Sequence, residues 1–318
     1  MPDMRTATDM RTAFAAAACE LLEEDPLTAV VLAEISADLF AKAAARHPDR
    51  VLNVGIREQL MVSVGGGLAL AGMRPIVHSY APFLVERAFE QVKLDLAHQG
   101  GHAVLVSIGA SYDAARSGRT HQAPGDVALV DSVPGFSVLV PGHPAEVRGL
   151  LRGAVEGLGS GPGGASGDGP GGGSAYLRLS TESNRAARPL SPALQLVRSG
   201  RRAVVVAVGP MLDPVLDAVG DLDVTVAYTT TVRPFDADGL SLLAAASSGS
   251  VLLVEPYLAG TSAFAVSSAL ASRPHRLLSL GVQRTELRRY GTPGDHAAWQ
   301  GLDAAGIRRS VTGFLGST

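Results

Sequence analysis

One carboxylate, Glu58, stands among apolar and glycine neighbours in the run NVGIREQL, residues 53–60. Apolar surroundings disfavour the charged form of an acid unless a donor or a cation meets it. Such an acid suits sharing a proton with a heteroaromatic nitrogen. Two structural roles fit equally: balancing the dipole at a helix start, or pairing with Arg57, Arg74 or Arg87. Three further segments hold residues that could do chemistry. In HSYAPF, Tyr80 and Phe83 flank Pro82, and aromatics so placed can stack on a flat ligand or fill a core. In SGRTHQ, Ser117 and His121 share a polar, glycine-bearing loop, where a neutral imidazole can exchange protons near pH 7 or simply be solvated. VEPYLAG, from Val254, is the fourth.

All four fall where strands are expected to end, which is where ligands gather in parallel α/β sheets. Apolar residues recur at helical spacing from Met10 to Leu22, followed by the β-branched run LTAVVLAEI. A helix over Ala37–Arg46 stops at His47-Pro48. Next come a short strand at 51–54, a glycine-bearing helix at 57–72 and the strand RPIVHSY. Pro82 opens a helix in which Val85, Ala88, Phe89, Val92 and Leu96 share one apolar face. HAVLVSIGA reads as a buried strand, and FSVLVPGHPAEVRGLLRGA as strand, turn and helix. This alternation predicts a parallel sheet with helices on both faces.

Residues 157–174 contain ten glycines in eighteen positions, which cannot pack a core. A flexible chain of that length spans roughly 20–25 Å. AYLRLS just after it looks like another strand of the same sheet, so the segment is expected to be a surface loop inserted into a first domain, residues 1–190. A second strand–helix series starts near Arg201, giving a smaller α/β domain at 195–318. The expected fold class is therefore α/β, with two doubly wound sheet domains.

The chain has 318 residues, 46% of them hydrophobic, enough for two ordinary cores. A net charge of −3 makes no electrostatic case for nucleic acid or an anionic membrane. The longest uncharged apolar run, Gln59–Met73, is broken by three glycines, and the N-terminus shows no secretory h-region. A soluble, cytoplasmic protein is expected. The single cysteine, Cys19, excludes an intrachain disulfide and a Cys-rich metal site, and its helical apolar setting predicts a core position. GDG at 167–169 sits in low-complexity glycine sequence with no strand before it, and GGGLALAG breaks the dinucleotide pattern at Leu70. Three glycines in a helix cost roughly 2–3 kcal/mol against alanine. A close helix–helix contact at Gly65–Gly67, between subunits, is expected to offset that.

The pieces in this order resemble the C-terminal half of transketolase and of deoxyxylulose-phosphate synthase, from about residue 8 to 316. NVGIREQLMVSVGGGLALAGMRPIVHSYAPFLVERAFEQVKLDLA is similar to the family's pyrimidine-binding segment. GRTHQAPGDVALVDSVPGFSVLVPGHPAEV is similar to its substrate-side loop and following strand, and VEPYLAGTSAFAVSSAL with LGVQRTELRRYGTP to its C-terminal domain. The resemblance implies that Glu58 hydrogen-bonds N1′ of the aminopyrimidine of thiamine diphosphate and favours the tautomer that removes the thiazolium C2 proton. It implies that Phe83 stacks on the pyrimidine, that Tyr80 and Arg87 lie beside it, and that His121 contacts substrate and helps move protons. It also gives the second domain a role in dimerisation.

Departures from the family pattern shape the expectation further. No diphosphate-binding domain and no credible G-D-G…N unit occur in the chain, so Mg²⁺ and the diphosphate would be held by another polypeptide in an α₂β₂ assembly. Ser117 and Arg119 stand where the family usually has an acid and a proline, and Thr181 stands at the place of a phosphate-binding arginine. The expected activity is two-carbon ketol transfer from a ketose or hydroxypyruvate to a carbonyl acceptor that need not be phosphorylated. A subunit like deoxyxylulose-phosphate synthase or a 2-oxoacid dehydrogenase β chain is the alternative enzyme, and a non-catalytic assembly subunit the alternative of another class.

Overall fold

The computed structural model describes residues 9–158 and 173–316. Glycine-loop residues 159–172, including Gly167–Gly169, lie outside the described residues. The first sheet is formed by β1 Thr28–Leu32, β2 Val51–Asn53, β3 Arg74–Tyr80, β4 Val104–Ile108, β5 Ser137–Leu139 and β6 Ala175–Arg178, joined by a strand from much later in the chain. The second contains β7 Gln195–Arg198, β8 Val204–Val208, β9 Thr225–Thr229, β11 Ser250–Leu258 and β12 Arg276–Val282. The late strand is β10, Thr231–Arg233, which gives the first sheet the order β10-β5-β6-β4-β3-β1-β2. The second sheet runs β12-β11-β8-β9-β7.

The central strands explain the apolar runs. Every residue of β1, β4, β8 and β9 is buried, as expected of parallel strands covered on both faces. The pairing is parallel except at one edge of each sheet, where β10 runs antiparallel to β5 and β7 antiparallel to β9. The expected parallel sheet with helices on both faces thus holds apart from these two edge strands. β10 follows β9 after a single residue, too few for a helical crossover, so the chain turns directly from one sheet into the other. AYLRLS does enter the first sheet, between β5 and β4, so the glycine segment interrupts that sheet's connections.

Helices cover both faces of the first sheet. Met10–Glu24 starts where Asp9 Oδ1 accepts from Thr12 N at 2.7 Å, an N-cap, and buries Phe14, Ala18 and Leu21 against the sheet. Cys19 is only half-buried, packed at the edge of this core and not inside it. The segment opened by Pro82 is wound as π-turns at Pro82–Arg87 and Val92–His98, with one α-turn between. The extra residue in each π-turn rotates the apolar face. Val85, Ala88, Val92 and Leu96 are buried as spacing predicts, while Leu84 joins them and Phe89 is only half-buried.

The three helical glycines differ from expectation. A Cβ on Gly65 would lie 2.6 Å from Val77 Cγ2 of β3, and one on Gly66 would lie 2.8 Å from the carbonyl oxygen of Asp95. These two permit close packing within the chain, and Ser63 Oγ donates to Asp95 Oδ2 at 2.5 Å across the same contact. Only Gly67 faces open space.

Candidate active site

Glu58 is the first residue of the helix Glu58–Leu70, five residues beyond the end of β2. Asn53 shapes the turn between them, its Oδ1 accepting from Gly55 N and Glu34 N, each at 3.1 Å. The fold thereby drives Glu58 inward to 1% exposure, while Ile56 and Leu60 on either side stay exposed. One cation meets the carboxylate: Arg87 Nη1 donates to Glu58 Oε2 at 2.8 Å. Arg57 and Arg74, the other sequence candidates, do not, and Arg74 pairs with Asp25 at 3.0 Å. Among the described residues, Arg87 provides the only hydrogen bond to the Glu58 carboxyl.

Arg87 lies one turn beyond Phe83 in the segment opened by Pro82, and its guanidinium carbon sits 4.3 Å from the Phe83 ring centroid. Phe83 leads on to His121 and Tyr80. Ring centroids are 5.0 Å apart for Phe83 and His121, 5.6 Å for Tyr80 and His121, and 5.9 Å for Tyr80 and Phe83, all edge to face. Five expected residues, Glu58, Arg87, Phe83, His121 and Tyr80, thus form one continuous wall. His121 is half-buried and its Nδ1 lies 2.9 Å from Thr120 Oγ1, which leaves the ring a defined orientation.

Ser117 and Thr181 line a cavity of about 420 Å³ that begins beside Tyr80. Arg119 is directed differently. Its Nη1 donates to Gln122 O at 2.6 Å, and its Nε lies 3.3 Å from Glu286, so it braces the loop. Gly118, at φ +74°, lies under the Tyr290 ring. The second-sheet part of the chain therefore touches the loop that presents His121. VEPYLAG does the same from below: Pro256 O accepts from Ser111 Oγ at 2.6 Å, and Leu258 N donates to Pro124 O at 2.8 Å.

The partners of two important groups emerge only from the fold. Arg178 is buried, its Nε donating to Asp126 Oδ2 at 2.7 Å and its Nη2 to Ser111 Oγ at 2.7 Å, while Tyr176 OH donates to the same Asp126 oxygen at 2.8 Å. Charge beside a strand of small and apolar residues reads as exposed in one dimension, and only the fold brings Asp126 to meet it. Asp113, eight residues before His121, is the other. It accepts from Ala110 N and Thr181 N with Oδ2 and from Ser180 Oγ with Oδ1. Desolvation lifts its carboxyl to about 6, against the opposing pull of Thr181 N and Arg178. No group of three or more His, Cys, Asp or Glu suited to a metal occurs among the described residues.

Comparison with known proteins decides the family. Residues 6–162 match the transketolase pyrimidine-binding domain. A split-gene transketolase, solved as an inactive β4 tetramer, superposes with TM-score 0.81 at 26% identity over 97% of this chain and 98% of that one. The chain belongs to the transketolase family as a C-terminal half. A 33.6 kDa protein in the fasciation locus of Rhodococcoides fascians is 52% identical over 97% of this chain and 96% of its own length. The 1-deoxy-D-xylulose-5-phosphate synthase of Acidovorax ebreus is 32% identical over 94% of this chain, which spans 46% of that enzyme. Transketolase from Leishmania mexicana shares the fold, with TM-score 0.73 at 19% identity. The chain thus spans about half the length of the full-length enzymes it matches. The resemblance in sequence names thiamine diphosphate as the cofactor whose fit this site can be tested against.

The residues present fit the pyrimidine half of that cofactor. A carboxylate removed from water and joined through Arg87 to the Phe83 ring offers an acceptor and a stacking face, as a protonated heteroaromatic nitrogen requires. No helix among the described residues is long and apolar enough to cross a membrane.

Proposed function

We propose that this chain is the C-terminal subunit of a split, thiamine-diphosphate-dependent transketolase, active only with a diphosphate-binding partner in an α₂β₂ heterotetramer. It would move a two-carbon ketol unit from a ketose or hydroxypyruvate to an aldehyde or other carbonyl acceptor that need not carry a phosphate. In this reading residues 1–190 form the pyrimidine-binding domain and 195–318 the C-terminal domain. Mg²⁺ and the diphosphate are held mainly by the partner.

The observation that carries the reading is Glu58, a carboxyl at 1% exposure whose Arg87 partner stands over the Phe83 ring. The bound cofactor would supply a carbon nucleophile and an electron sink. Glu58 would hold a proton at the pyrimidine nitrogen, with Phe83, Tyr80 and Arg87 fixing the ring. His121, with Ser117, Arg119 and Thr181 nearby, would contact substrate and exchange protons with its hydroxyls. The structural neighbour's inactive tetramer of β chains supports the need for a second polypeptide. A purely structural assembly subunit accounts for Glu58 as a helix-start acid paired with Arg87, but not for Phe83, Tyr80 and His121 gathered in one wall beside that pair.

The test is CO₂ release from β-hydroxypyruvate with thiamine diphosphate and Mg²⁺, using each chain alone and both together. Release only from the mixture is expected. Release from this chain alone, or none from a stable complex, contradicts the proposal.

A further inference from the structure

The cavity beside Tyr80 is built from the carboxyl ends of β3, β4 and β6, and its lining includes Gly109, Asp113, Ser117 and Thr181. Gly109 adopts φ +71°, and a Cβ there would collide with the Tyr80 ring, so the glycine lets that ring close one wall. At about 420 Å³ the space is of the size small-molecule sites occupy.

Its polar groups are arranged unlike an anion site. Backbone N–H groups and a hydroxyl at strand ends are the usual donors to a phosphate. Here the donors are already used internally. From the cavity wall, Thr181 N at 2.9 Å points at Asp113 Oδ2 and Ser180 Oγ at 3.0 Å at Oδ1, while Ala110 N, outside the lining, reaches Oδ2 at 3.1 Å. A carboxylate of the chain's own thus sits where an anionic ligand would have to bind. Among the described residues the rim adds a second acid, Asp9, and one cation, Arg11. Arg11 is itself engaged: its Nε donates to Ser36 Oγ at 2.9 Å, and its Nη2 lies 3.8 Å from Asp38. Neither nearby arginine of the β6 region can serve as a substitute, since Arg178 is locked to Asp126 and Arg185 is bonded to Asp213 and Asp217.

We infer that this cavity is the acceptor subsite, that it takes an uncharged, hydroxyl-bearing aldehyde and rejects a phosphorylated one, and that Asp113 is the residue that sets this preference. The inference deepens the split-transketolase reading and rests on it. Asp113 acts through the groups it holds, so it is a positioning residue. By occupying the donors it leaves the cavity with hydroxyls and acceptors, which suit hydroxyl partners and repel a dianion.

The experiment uses the complex of this chain with its diphosphate-binding partner, β-hydroxypyruvate as donor, and D-glyceraldehyde or D-glyceraldehyde 3-phosphate as acceptor. Donor decarboxylation without acceptor is followed in parallel. The wild-type complex should favour the unphosphorylated aldehyde by at least roughly tenfold in kcat/KM. Thr181→Arg, which puts a guanidinium at the cavity wall, should move the ratio of the two acceptors toward the phosphorylated one by at least roughly tenfold. Asp113→Ser, which frees the two donors of the cavity wall, Thr181 N and Ser180 Oγ, should move it the same way. A wild-type preference for the phosphorylated aldehyde overturns the inference while decarboxylation shows the cofactor reading intact. A ratio unmoved by Asp113→Ser overturns the role of Asp113, and one unmoved by Thr181→Arg overturns the placing of the acceptor in this cavity. Absence of decarboxylation overturns the functional reading, and the acceptor assignment falls with it.

Discussion

Arg87 donates to Glu58 across 2.8 Å, although the carboxylate is buried and the guanidinium is two-fifths exposed. The pair explains how an acid can be held inside an apolar junction: the cation offsets the cost of removing the carboxylate from water. Its position over Phe83 fixes the distance between the acid and the ring wall. Arg87→Met should therefore destabilise the chain by about 1–3 kcal/mol, below the cost of breaking a fully buried pair because Arg87 retains solvent. Glu58→Gln combined with Arg87→Met should cost clearly less than the two single losses added. Urea denaturation of the four chains measures this, and strictly additive losses would contradict it.

A second ion pair should be more sensitive. Arg178 and Asp126 are both buried, and Tyr176 and Ser111 complete the network that reaches Pro256. Arg178→Met leaves Asp126 charged and without its cation, for an expected cost of about 3–5 kcal/mol. Asp126→Asn with Arg178→Met should recover part of that loss. A single-mutant effect below about 1 kcal/mol would show that the network contributes little to stability.

The helical glycines separate internal packing from an outward-facing position. Gly66→Ala brings a methyl to 2.8 Å from Asp95 O and 3.1 Å from Asp95 Cβ, so it should destabilise by about 1–3 kcal/mol. Gly67→Ala meets nothing within 4 Å and should stabilise the isolated chain by up to about 1 kcal/mol. Thermal unfolding of the two variants gives the comparison, and the same sign for both would be inconsistent with this packing.

Acid should weaken the fold through His78. Its Nδ1 lies 2.9 Å from Val106 O, which can only accept, so Nδ1 carries the proton and Nε2 accepts from Ser36 Oγ at 2.8 Å. Burial holds the imidazole down to about 4. The unfolded chain takes up this proton near the ordinary value and the folded chain only near 4, so stability rises with pH across that interval. It is complete above about 6.5 and lost as pH falls toward 4, by roughly 2–4 kcal/mol. Asp221, held at about 2 by its hydrogen bond from Arg308, titrates below that window. Asp113, lifted to about 6, pulls the slope the opposite way between about 4 and 6, so the His78 contribution is read from the difference between wild type and variant. His78→Gln should show a shallower stability slope between pH 7 and 4 in urea titrations. An unchanged slope would show that another group governs the acid limb.

Much of this architecture can be read in one dimension. Runs such as AVVL and VLVSI are buried because central parallel strands have no solvent face, and the inward acid follows from the junction between a strand and a glycine-bearing helix. What escapes the sequence is long-range pairing. Thr231–Arg233 joins the first sheet from within the second series of elements, which no local pattern announces. The π-turns around Phe89 break the helical period that placed it in the core. Asp113 looks like an ordinary loop acid until the turn after β6 brings Ser180 and Thr181 onto it. Gly65 and Gly66 announce a close contact, but whether the neighbour is this chain or another is settled only by where β3 and Asp95 lie.

The central claim is that Glu58 handles a proton at the cofactor. Its most direct test is the rate of CO₂ release from β-hydroxypyruvate by the complex carrying Glu58→Gln, with assembly confirmed by light scattering on the same sample. The account predicts an intact complex and a loss of roughly 10²–10⁴-fold in turnover. An intact complex that keeps turnover close to that of the wild type would contradict it.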